Sequence, residues 1–319
     1  MAVYTDITDE ELNALLSDYD VGEALSFKGI AEGVENSNFL LETTAGRFIL
    51  TVYEKRVRTE DLPFFMAVME TLAAQGVMAP RPVRTRTGAP TAFVRGKACA
   101  LICFLTGVSP KRPNPAHCRA VGAALAHMHL ALRGSGLTRP NSLGLQDWEG
   151  LVRPRLGEAE ALQPGLSARL QADLTALEAA WPDGLPQGVI HADLFPDNVL
   201  FLGPKLSGLI DFYFACTDAL AYDLAVCINA WCFEPDRSFN LTKGQNLIAG
   251  YNAVRPLTGR ERDALPILAR GAAMRFFATR LADWTTSPQG ALVKPKNPLD
   301  YADRLAFHAR ATGPGDYGG

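Results

Sequence analysis

The sequence contains no long apolar run. None approaches the roughly 20 consecutive apolar residues that a bilayer-spanning helix requires, and the most apolar segments, ACALICFLTGV and LAVCINAWCF, suit a buried core. The first residues, MAVYTDITDEELNALL, are acidic and lack the basic and apolar regions of a signal peptide. These absences predict a soluble, cytoplasmic protein that does not act on a membrane.

The sequence also lacks an excess of positive charge. Lys and Arg number 31 against 34 Asp and Glu, which leaves a formal net charge of -3 without a basic stripe. Because nucleic-acid binding depends on such a stripe, no nucleic-acid partner is expected. The six cysteines include no CxxC pair and lie mostly in apolar segments. That pattern is typical of reduced, buried thiols rather than of a zinc site.

The order of local patterns predicts two lobes. Thr8 stands three residues before Glu11, which is a capping pattern at the start of an amphipathic helix. Strand patterns, a hairpin turn at TTAGR and one long helix follow, before short strands broken by Pro and Gly. The Pro-rich GVSPKRPNP then precedes mostly helical patterns. The sequence therefore predicts an α+β protein, with a small β-rich lobe at 1–105 and a larger, mainly helical lobe at 106–319.

One stretch, GVIHADLFPDNVLF, concentrates polar residues between two apolar strand patterns. Asp193 follows the first strand, Asn198 precedes the second, and Asp211 ends the next apolar strand, GLI. A hairpin would bring Asn198 and Asp211 to one edge, where an amide oxygen and a carboxylate suit Mg²⁺. Asp193 would then orient a hydroxyl for phosphoryl transfer from ATP. The alternative is a polar loop that uses Asp and Asn as turn formers.

The same stretch, followed by GLIDF, resembles the catalytic segment of the aminoglycoside phosphotransferase and choline kinase superfamily. The resemblance implies a bilobal, protein-kinase-like fold that uses ATP and Mg²⁺. It implies that Asp193 is the catalytic base and that Asn198 and Asp211 are the magnesium ligands. It further implies structural roles for His191, which would hold the loop, and for Asp223 in DALAYDLAV. Asp223 would either anchor the loop or interact with the dipole of its own helix.

The resemblance also predicts a nucleotide site in the first lobe. The segment AEGVENSNF occupies the place of the phosphate-covering hairpin, where Gly33, Asn36 and Ser37 would offer backbone N–H groups to phosphates. The segment ACALICFLTG resembles the hinge that contacts the adenine base, and Phe104 lies in it. A plain polar turn and an ordinary buried strand are the alternatives for these two segments.

Several positions depart from the pattern of the superfamily. Ala192 stands where a Gly is usual, and Thr51 stands where a strand Lys is usual. The helix Glu that pairs with this Lys is replaced by Phe65 or Met66, so both members of a buried ion pair are missing together. Lys55 shares a strand face with Thr51 by the alternation of side chains and is the candidate to neutralise the triphosphate. A solvated surface lysine is the alternative.

The acceptor is suggested by arginines near the C-terminus. Arg275 and Arg280 lie in RFFATRLADW, and arginines on an apolar helix suit either carboxylate recognition or structural ion pairs. Together with GVENSNF, FILTVYEKR and NPLDYADRLAFH, this segment resembles the homoserine kinase branch of the superfamily. The resemblance implies L-homoserine as the small-molecule substrate. An aminoglycoside or choline-type kinase and a nucleotide-binding pseudokinase remain open, and the sequence does not decide between a monomer and a homodimer.

Overall fold

The computed structural model describes residues 5–30, 36–54, 57–286 and 295–318. The chain divides into two compact units, the first made of residues 1–107 and 207–213 and the second of residues 108–206 and 214–319. The first unit is rich in strands and the second is mainly helical, so the predicted α+β class is confirmed. The sequence predicts a boundary at 105/106, without the short segment at 207–213 that the structure assigns to the first unit.

The elements of the first unit in chain order are α1 (Asp9–Leu16), β1 (Ala24–Gly29), β2 (Ser37–Thr43), β3 (Gly46–Val52), α2 (Leu62–Ala74), β4 (Pro82–Val83), β5 (Ala92–Val94) and β6 (Lys97–Cys103). The strands form an antiparallel sheet with the order β1-β2-β3-β6-β4, in which β5 also pairs with β6. The predicted hairpin turn at TTAGR joins β2 to β3, whose register pairs Thr43 with Gly46.

The core of the first unit follows from the alternation of side chains along these strands. Leu41 on β2, Leu50 on β3 and Leu101 on β6 are almost fully buried in one cluster. Helix α1 adds its apolar face to this cluster, and its predicted capping box is confirmed. The N–H of Glu11 donates to Thr8 Oγ1 at 3.2 Å, and the N–H of Thr8 donates to Glu11 Oε2 at 2.9 Å.

The second unit consists mainly of helices, with a few short strands. Its helices are α3 (Pro115–Ala131), α4 (Leu145–Val152), α5 (Leu156–Leu162), α6 (Leu166–Ala180), α7 (Leu220–Trp231), α8 (Leu241–Val254), α9 (Gly259–Thr286) and α10 (Leu299–His308). The strands are β7 (Gln187–Ile190), β8 (Val199–Leu202), β9 (Lys205–Leu209) and β10 (Cys216–Ala219), and the chain passes back to the first unit along β9.

Helix α7 is the centre of the second unit. All of its residues except Ala230 are buried, which is the pattern of a helix surrounded by protein. The six cysteines, all within the described ranges, are free, and every one except Cys103 is buried. Among the described residues, no helix combines the length and the apolar character needed to cross a bilayer.

Two glycines permit helices α3 and α8 to pack with their backbones in close approach. A Cβ atom on Gly122 would lie 2.1 Å from the carbonyl oxygen of Leu247, and one on Gly250 would lie 2.1 Å from that of Arg119. Real Cβ atoms do not approach backbone oxygens so closely, so these positions require glycine although glycine lowers helix propensity.

Substitution of Gly122 tests this packing. We expect Gly122→Ala to lower the free energy of unfolding by about 2 kcal/mol, because the added methyl group forces the two helices apart. Gly150→Ala is the matched control, since a Cβ there meets no atom of the described residues within 4 Å. It should raise the free energy of unfolding by up to about 1 kcal/mol. Urea denaturation measures both, and equal stability of the two variants would contradict the close approach.

Candidate active site

The stretch GVIHADLFPDNVLF lies in the second unit between two short strands. Strand β7 supplies its first residues and β8 its last, with a 3₁₀ turn at Pro196–Asn198 between them. Antiparallel pairing of β7 with β10 sets Ile190 opposite Cys216, and β10 leads directly into α7. The loop that leaves β7 is therefore held next to the first turn of α7.

Asp223, the fourth residue of α7, holds this loop. Its carboxylate accepts hydrogen bonds from the N–H of His191 at 2.7 Å and from the N–H of Ala192 at 2.8 Å. His129 Nε2 lies 3.0 Å from Asp223 Oδ2. Burial would raise the pKa of this carboxyl, but the hydrogen bonds and charges of His129 and His191 hold the pKa below its usual value. Asp223 is thus a buried, charged anchor for the backbone of the loop.

A buried network of side chains that no local sequence pattern indicates supports Asp223. His129 Nδ1 lies 2.8 Å from the hydroxyl of Tyr251, which also accepts a hydrogen bond from Arg255 at 3.2 Å. Arg255 forms a buried ion pair with Glu261 at 2.8 Å. The sequence shows His129 within the apolar pattern of α3. No local motif connects His129 to Asp223, because α7 begins about 90 residues later in the chain.

Ala192 adopts a left-handed backbone conformation with φ +63°. This conformation costs a residue with a Cβ about 1–2 kcal/mol, which explains the Gly usual in the superfamily. Bonds on both sides hold Ala192 in place, because its N–H donates to Asp223 and its carbonyl accepts from Arg275. The guanidinium of Arg275 also lies 4.5 Å from the centre of the Phe276 ring, and the residue is 2% exposed. Arg275 therefore contacts the loop backbone.

Asp193 and Asn198 are brought together by the turn. The side-chain nitrogen of Asn198 donates to the carbonyl of Asp193 at 2.8 Å and to its carboxylate Oδ2 at 3.2 Å. This use of the amide nitrogen leaves the amide oxygen as the group of Asn198 that suits a hard cation. Nδ1 of His191 accepts a hydrogen bond from the N–H of Asp193 at 3.3 Å.

Asp211 belongs to the first unit and follows β9 with a left-handed φ of +66°. Asp tolerates this conformation better than most residues, and such backbone strain concentrates at functional positions. The hydroxyls of Tyr53 and Tyr213 lie 3.1 Å apart. Burial raises the pKa of both tyrosines well above the ordinary value, and the nearby carboxylate of Asp211 raises it further. Both phenols therefore stay neutral beside this carboxylate.

The same phenols fill the place of the missing Lys–Glu pair. Thr51, at the position of the usual Lys, donates to Asn38 Oδ1 at 2.8 Å. Phe65, one of the two residues at the position of the usual Glu, packs its ring edge-on against that of Tyr213 at 5.7 Å. A neutral network of hydroxyl, amide and aromatic groups thus replaces the buried ion pair.

The predicted nucleotide residues contact an ionic cluster. Ser37 donates from its hydroxyl to Glu54 Oε1 at 2.8 Å, and Asn36 Oδ1 accepts from the N–H of Glu54 at 3.3 Å. Glu54 also forms an ion pair with Lys97, a partner that the sequence analysis missed. Elsewhere, the N–H of Phe104 donates to the carbonyl of Arg47 at 3.2 Å. Gly33 and Lys55 lie outside the described residues.

Arg280, the other predicted acceptor residue, lies one turn beyond Arg275 on α9. Its Nη1 donates to the carbonyl of Asn297 at 3.2 Å and lies 3.4 Å from Asp300 Oδ2. Across residues 5–30, 36–54, 57–286 and 295–318, no three His, Cys, Asp or Glu side chains cluster as metal ligands would. The candidate ligands Asn198 and Asp211 are an amide and a single carboxylate, a donor set that suits Mg²⁺ rather than a transition metal.

Relief of the strain at Ala192 is measurable. We expect Ala192→Gly to raise the free energy of unfolding by about 0.5–1 kcal/mol, because glycine adopts φ +63° without steric cost. Ala172→Gly, at an exposed site within α6, is the control and should lower the same quantity by about 1 kcal/mol. Thermal denaturation followed by circular dichroism compares the two. A loss of stability in both variants would mean that Ala192 is not strained.

Comparison with known proteins identifies the family. Residues 26–257, well over half of the chain, match the model of the phosphotransferase enzyme family. A homoserine kinase from Methylobacterium nodulans is 57% identical over 318 residues, covering 100% of this chain and 99% of its own. A homoserine kinase from Caulobacter sp. strain K31 is 59% identical over 309 residues, covering 97% of each chain.

Solved structures agree on the fold. A microcompartment-associated aminopropanol kinase superposes with a TM-score of 0.71 at 21% identity, over 95% of this chain and 97% of the other. An aminoglycoside phosphotransferase from Alicyclobacillus acidocaldarius superposes with a TM-score of 0.67 at 18% identity, over 96% and 93% of the two chains. The predicted kinase-like fold is therefore confirmed, and the chain belongs to the phosphotransferase enzyme family.

Proposed function

We propose that this protein transfers the γ-phosphoryl group of ATP to the hydroxyl of L-homoserine, giving O-phospho-L-homoserine and ADP. The observation that carries the proposal is the identity of 57% with a homoserine kinase over the whole length of both chains. The aligned length of 318 residues spans the loop, the strands and the C-terminal helices that would form an acceptor site. The reaction is a step towards threonine.

Within this proposal, Asp193 is the base that orients the acceptor hydroxyl and accepts its proton as the bond to phosphorus forms. Asn198 fixes the carboxylate of Asp193 through its amide nitrogen, at 3.2 Å from Oδ2. The amide oxygen of Asn198 and the carboxylate of Asp211 would hold Mg²⁺. When bound, this ion would neutralise negative charge on the transferred phosphoryl group. Asp223 and His191 support the loop without contacting the substrate.

The first unit would supply the nucleotide contacts. We propose that Gly33, Asn36 and Ser37 bind phosphates and that Phe104 lies in the segment that contacts the base. Lys55 remains the candidate to neutralise the triphosphate, and both it and Gly33 lie outside the described residues. The ordered contacts of Asn36 and Ser37 with Glu54 support a pre-formed hairpin base for this site.

For the acceptor, we propose different parts for the two predicted arginines. The guanidinium of Arg275 donates to the carbonyl of Ala192 and would act on the substrate through the loop. Arg280 lies beside α10 and would contact the acceptor.

An aminoglycoside or amino-alcohol kinase is the second candidate for the function, because solved structures of such enzymes share the fold. A pseudokinase has no need of Asp193, Asn198 and Asp211 together.

An acceptor panel tests the function. Purified protein with Mg²⁺ and ATP is offered L-homoserine, L-serine, choline or kanamycin, and ADP release is followed. We expect kcat/KM for L-homoserine to exceed that for each other acceptor by at least about tenfold, since each rival lacks one of its groups or changes its length. Turnover of kanamycin without turnover of homoserine would contradict the proposal, and the absence of any turnover would favour the pseudokinase.

Removal of the base tests the role of Asp193. We expect Asp193→Asn to lower kcat by about 10²–10⁴-fold, because the amide cannot accept the proton of the hydroxyl. Binding of a non-hydrolysable ATP analogue, measured by calorimetry, should change little. Asp197→Asn is the matched control, since its carboxylate is exposed and lies 3.6 Å from the equally exposed Lys296. Full activity of Asp193→Asn, or an equal loss in both variants, would exclude Asp193 as the base.

A further inference from the structure

Two arginines converge on one buried tyrosine where α9 and α10 meet. The guanidinium carbon of Arg280 lies 4.5 Å from the centre of the Tyr301 ring, and that of Arg304 lies 4.3 Å from it. Tyr301 itself has no exposed surface. Stacking on an aromatic face partly compensates the loss of water around a guanidinium, but it provides no negative charge.

The acidic side chains of α10 do not pair with Arg304. Asp300 pairs with Arg237 at 3.0 Å and more loosely with Arg280 at 3.4 Å, while Asp303 pairs with Arg237 at 2.8 Å. Within the described residues, Arg304 forms no ion pair, and its remaining ring contact is with Phe233 at 5.0 Å. In the cluster around Tyr301, the positive charges of Arg237, Arg280 and Arg304 therefore outnumber the negative charges of the two neighbouring aspartates.

Two polar atoms of the cluster are buried without a hydrogen-bond partner among the described residues. They are Nη1 of Arg304 and the hydroxyl of Tyr301. An unpaired buried donor, and above all a charged one, costs free energy that a bound partner would recover. Nη1 of Arg304 can only donate, and the hydroxyl of Tyr301 can donate as well as accept, so a single acceptor satisfies both atoms. The excess of positive charge favours an anion as that acceptor.

The cluster lies near the proposed catalytic base. Burial lowers the pKa of Arg280, and the neighbouring Arg304 lowers it further, whereas the carboxylate of Asp193 acts to raise it. Burial raises the pKa of Tyr301, and Asp193 adds to this rise. The ring of Tyr301 packs against that of Phe276 at 5.3 Å, and Phe276 packs edge-on against Phe195 of the loop at 4.9 Å. The unpaired donors therefore lie beside the loop that would bind the acceptor hydroxyl.

We propose that Arg304, Arg280 and the hydroxyl of Tyr301 form the subsite that binds the carboxylate of the acceptor. The proposal deepens the proposed function and rests on it. A carboxylate can accept two parallel hydrogen bonds from a guanidinium and a third from a phenol. An acceptor without a carboxylate leaves these donors unpaired in the interior, so the subsite selects hydroxy amino acids over amino alcohols and sugars.

No motif in the sequence singles out Arg304 or Tyr301. Both lie in NPLDYADRLAFH, where their spacing of three residues places them on one helix face. Asp300 stands four residues before Arg304, a spacing that permits an ion pair between them. The structure instead gives Asp300 to Arg237 and Arg280, and this choice of partners leaves Arg304 for a ligand.

The test compares acceptors that differ only in the carboxylate. L-homoserine, L-homoserine amide and 3-aminopropan-1-ol share the hydroxyl and the amine. We expect Arg304→Gln to raise KM for L-homoserine by about 30-fold or more, as loss of a hydrogen bond to a charged group does. The KM for ATP, and kcat/KM for 3-aminopropan-1-ol, should stay within about threefold. An acceptor that turns over too slowly is measured by its inhibition constant against L-homoserine.

Two further variants separate binding from folding. Tyr301→Phe removes only the hydroxyl and should raise KM for L-homoserine by about tenfold, with kcat/KM for 3-aminopropan-1-ol unchanged. Arg310→Gln is the control, because Arg310 is exposed just beyond α10 and its loss should leave all constants unchanged. Should Arg304→Gln fail to fold, Arg304→Lys keeps the positive charge at this position. The effect of Tyr301→Phe on KM for L-homoserine then still tests the subsite. Equal losses for L-homoserine and 3-aminopropan-1-ol would overturn the subsite.

Failure of the proposed function has a different signature. If the wild-type protein does not phosphorylate L-homoserine, that function is wrong, and calorimetry with L-homoserine and L-serine then tests the subsite alone. Binding of either carboxylate by the wild type, lost in Arg304→Gln and kept in Arg310→Gln, would support the subsite. Absence of binding by the wild type would overturn it.

Discussion

The buried carboxylate of Asp223 is the interaction on which the candidate active site depends. It accepts hydrogen bonds from two successive backbone N–H groups, those of His191 and Ala192. Taking an unpaired carboxylate out of water costs several kcal/mol, so the helix and the loop are stable only when they are joined. His129 completes the set of donors, and Tyr251 fixes its ring. The position of Asp193 is thereby tied to the most deeply buried helix of the second unit.

This attachment explains how strained backbone persists at the site. Ala192 has a left-handed φ of +63°. This conformation costs about 1–2 kcal/mol, a strain that only the surrounding structure can maintain. At Ala192 the surrounding bonds are visible, with Asp223 on the N–H and Arg275 on the carbonyl.

Buried charge is treated differently at two places in the chain. In the first unit, the neutral side chains of Thr51, Tyr53 and Tyr213 lie where the superfamily usually has a Lys–Glu ion pair. Neutral groups avoid the cost of removing two charges from water, which often exceeds their mutual attraction. In the second, Arg280 and Arg304 stand against one aromatic ring with too few acids to balance them. Charge is thus absent from the side chains around Tyr53 and Tyr213 and unbalanced beside Tyr301, where an anionic acceptor is proposed to bind.

Local patterns in the sequence account for much of the fold. The capping box of α1, the hairpin turn between β2 and β3 and the buried alternation of the sheet follow from neighbouring residues, because each depends on contacts a few positions apart. The motif around Asp193 was recognisable for the same reason. The partners of Asp223 were not, since His129 and Tyr251 come from helices distant in the chain.

The sequence by itself thus determined the mixed architecture, the family and the loop with Asp193 and Asn198. Only the tertiary structure decided which buried groups pair with each other. It gave the carbonyl of Ala192 to Arg275, and Asp300 to Arg237 rather than to Arg304. The physical reason is that a charged side chain at a helix surface has several partners within reach by spacing alone. Which of them it meets depends on how the helices pack, and that packing is a property of the whole chain.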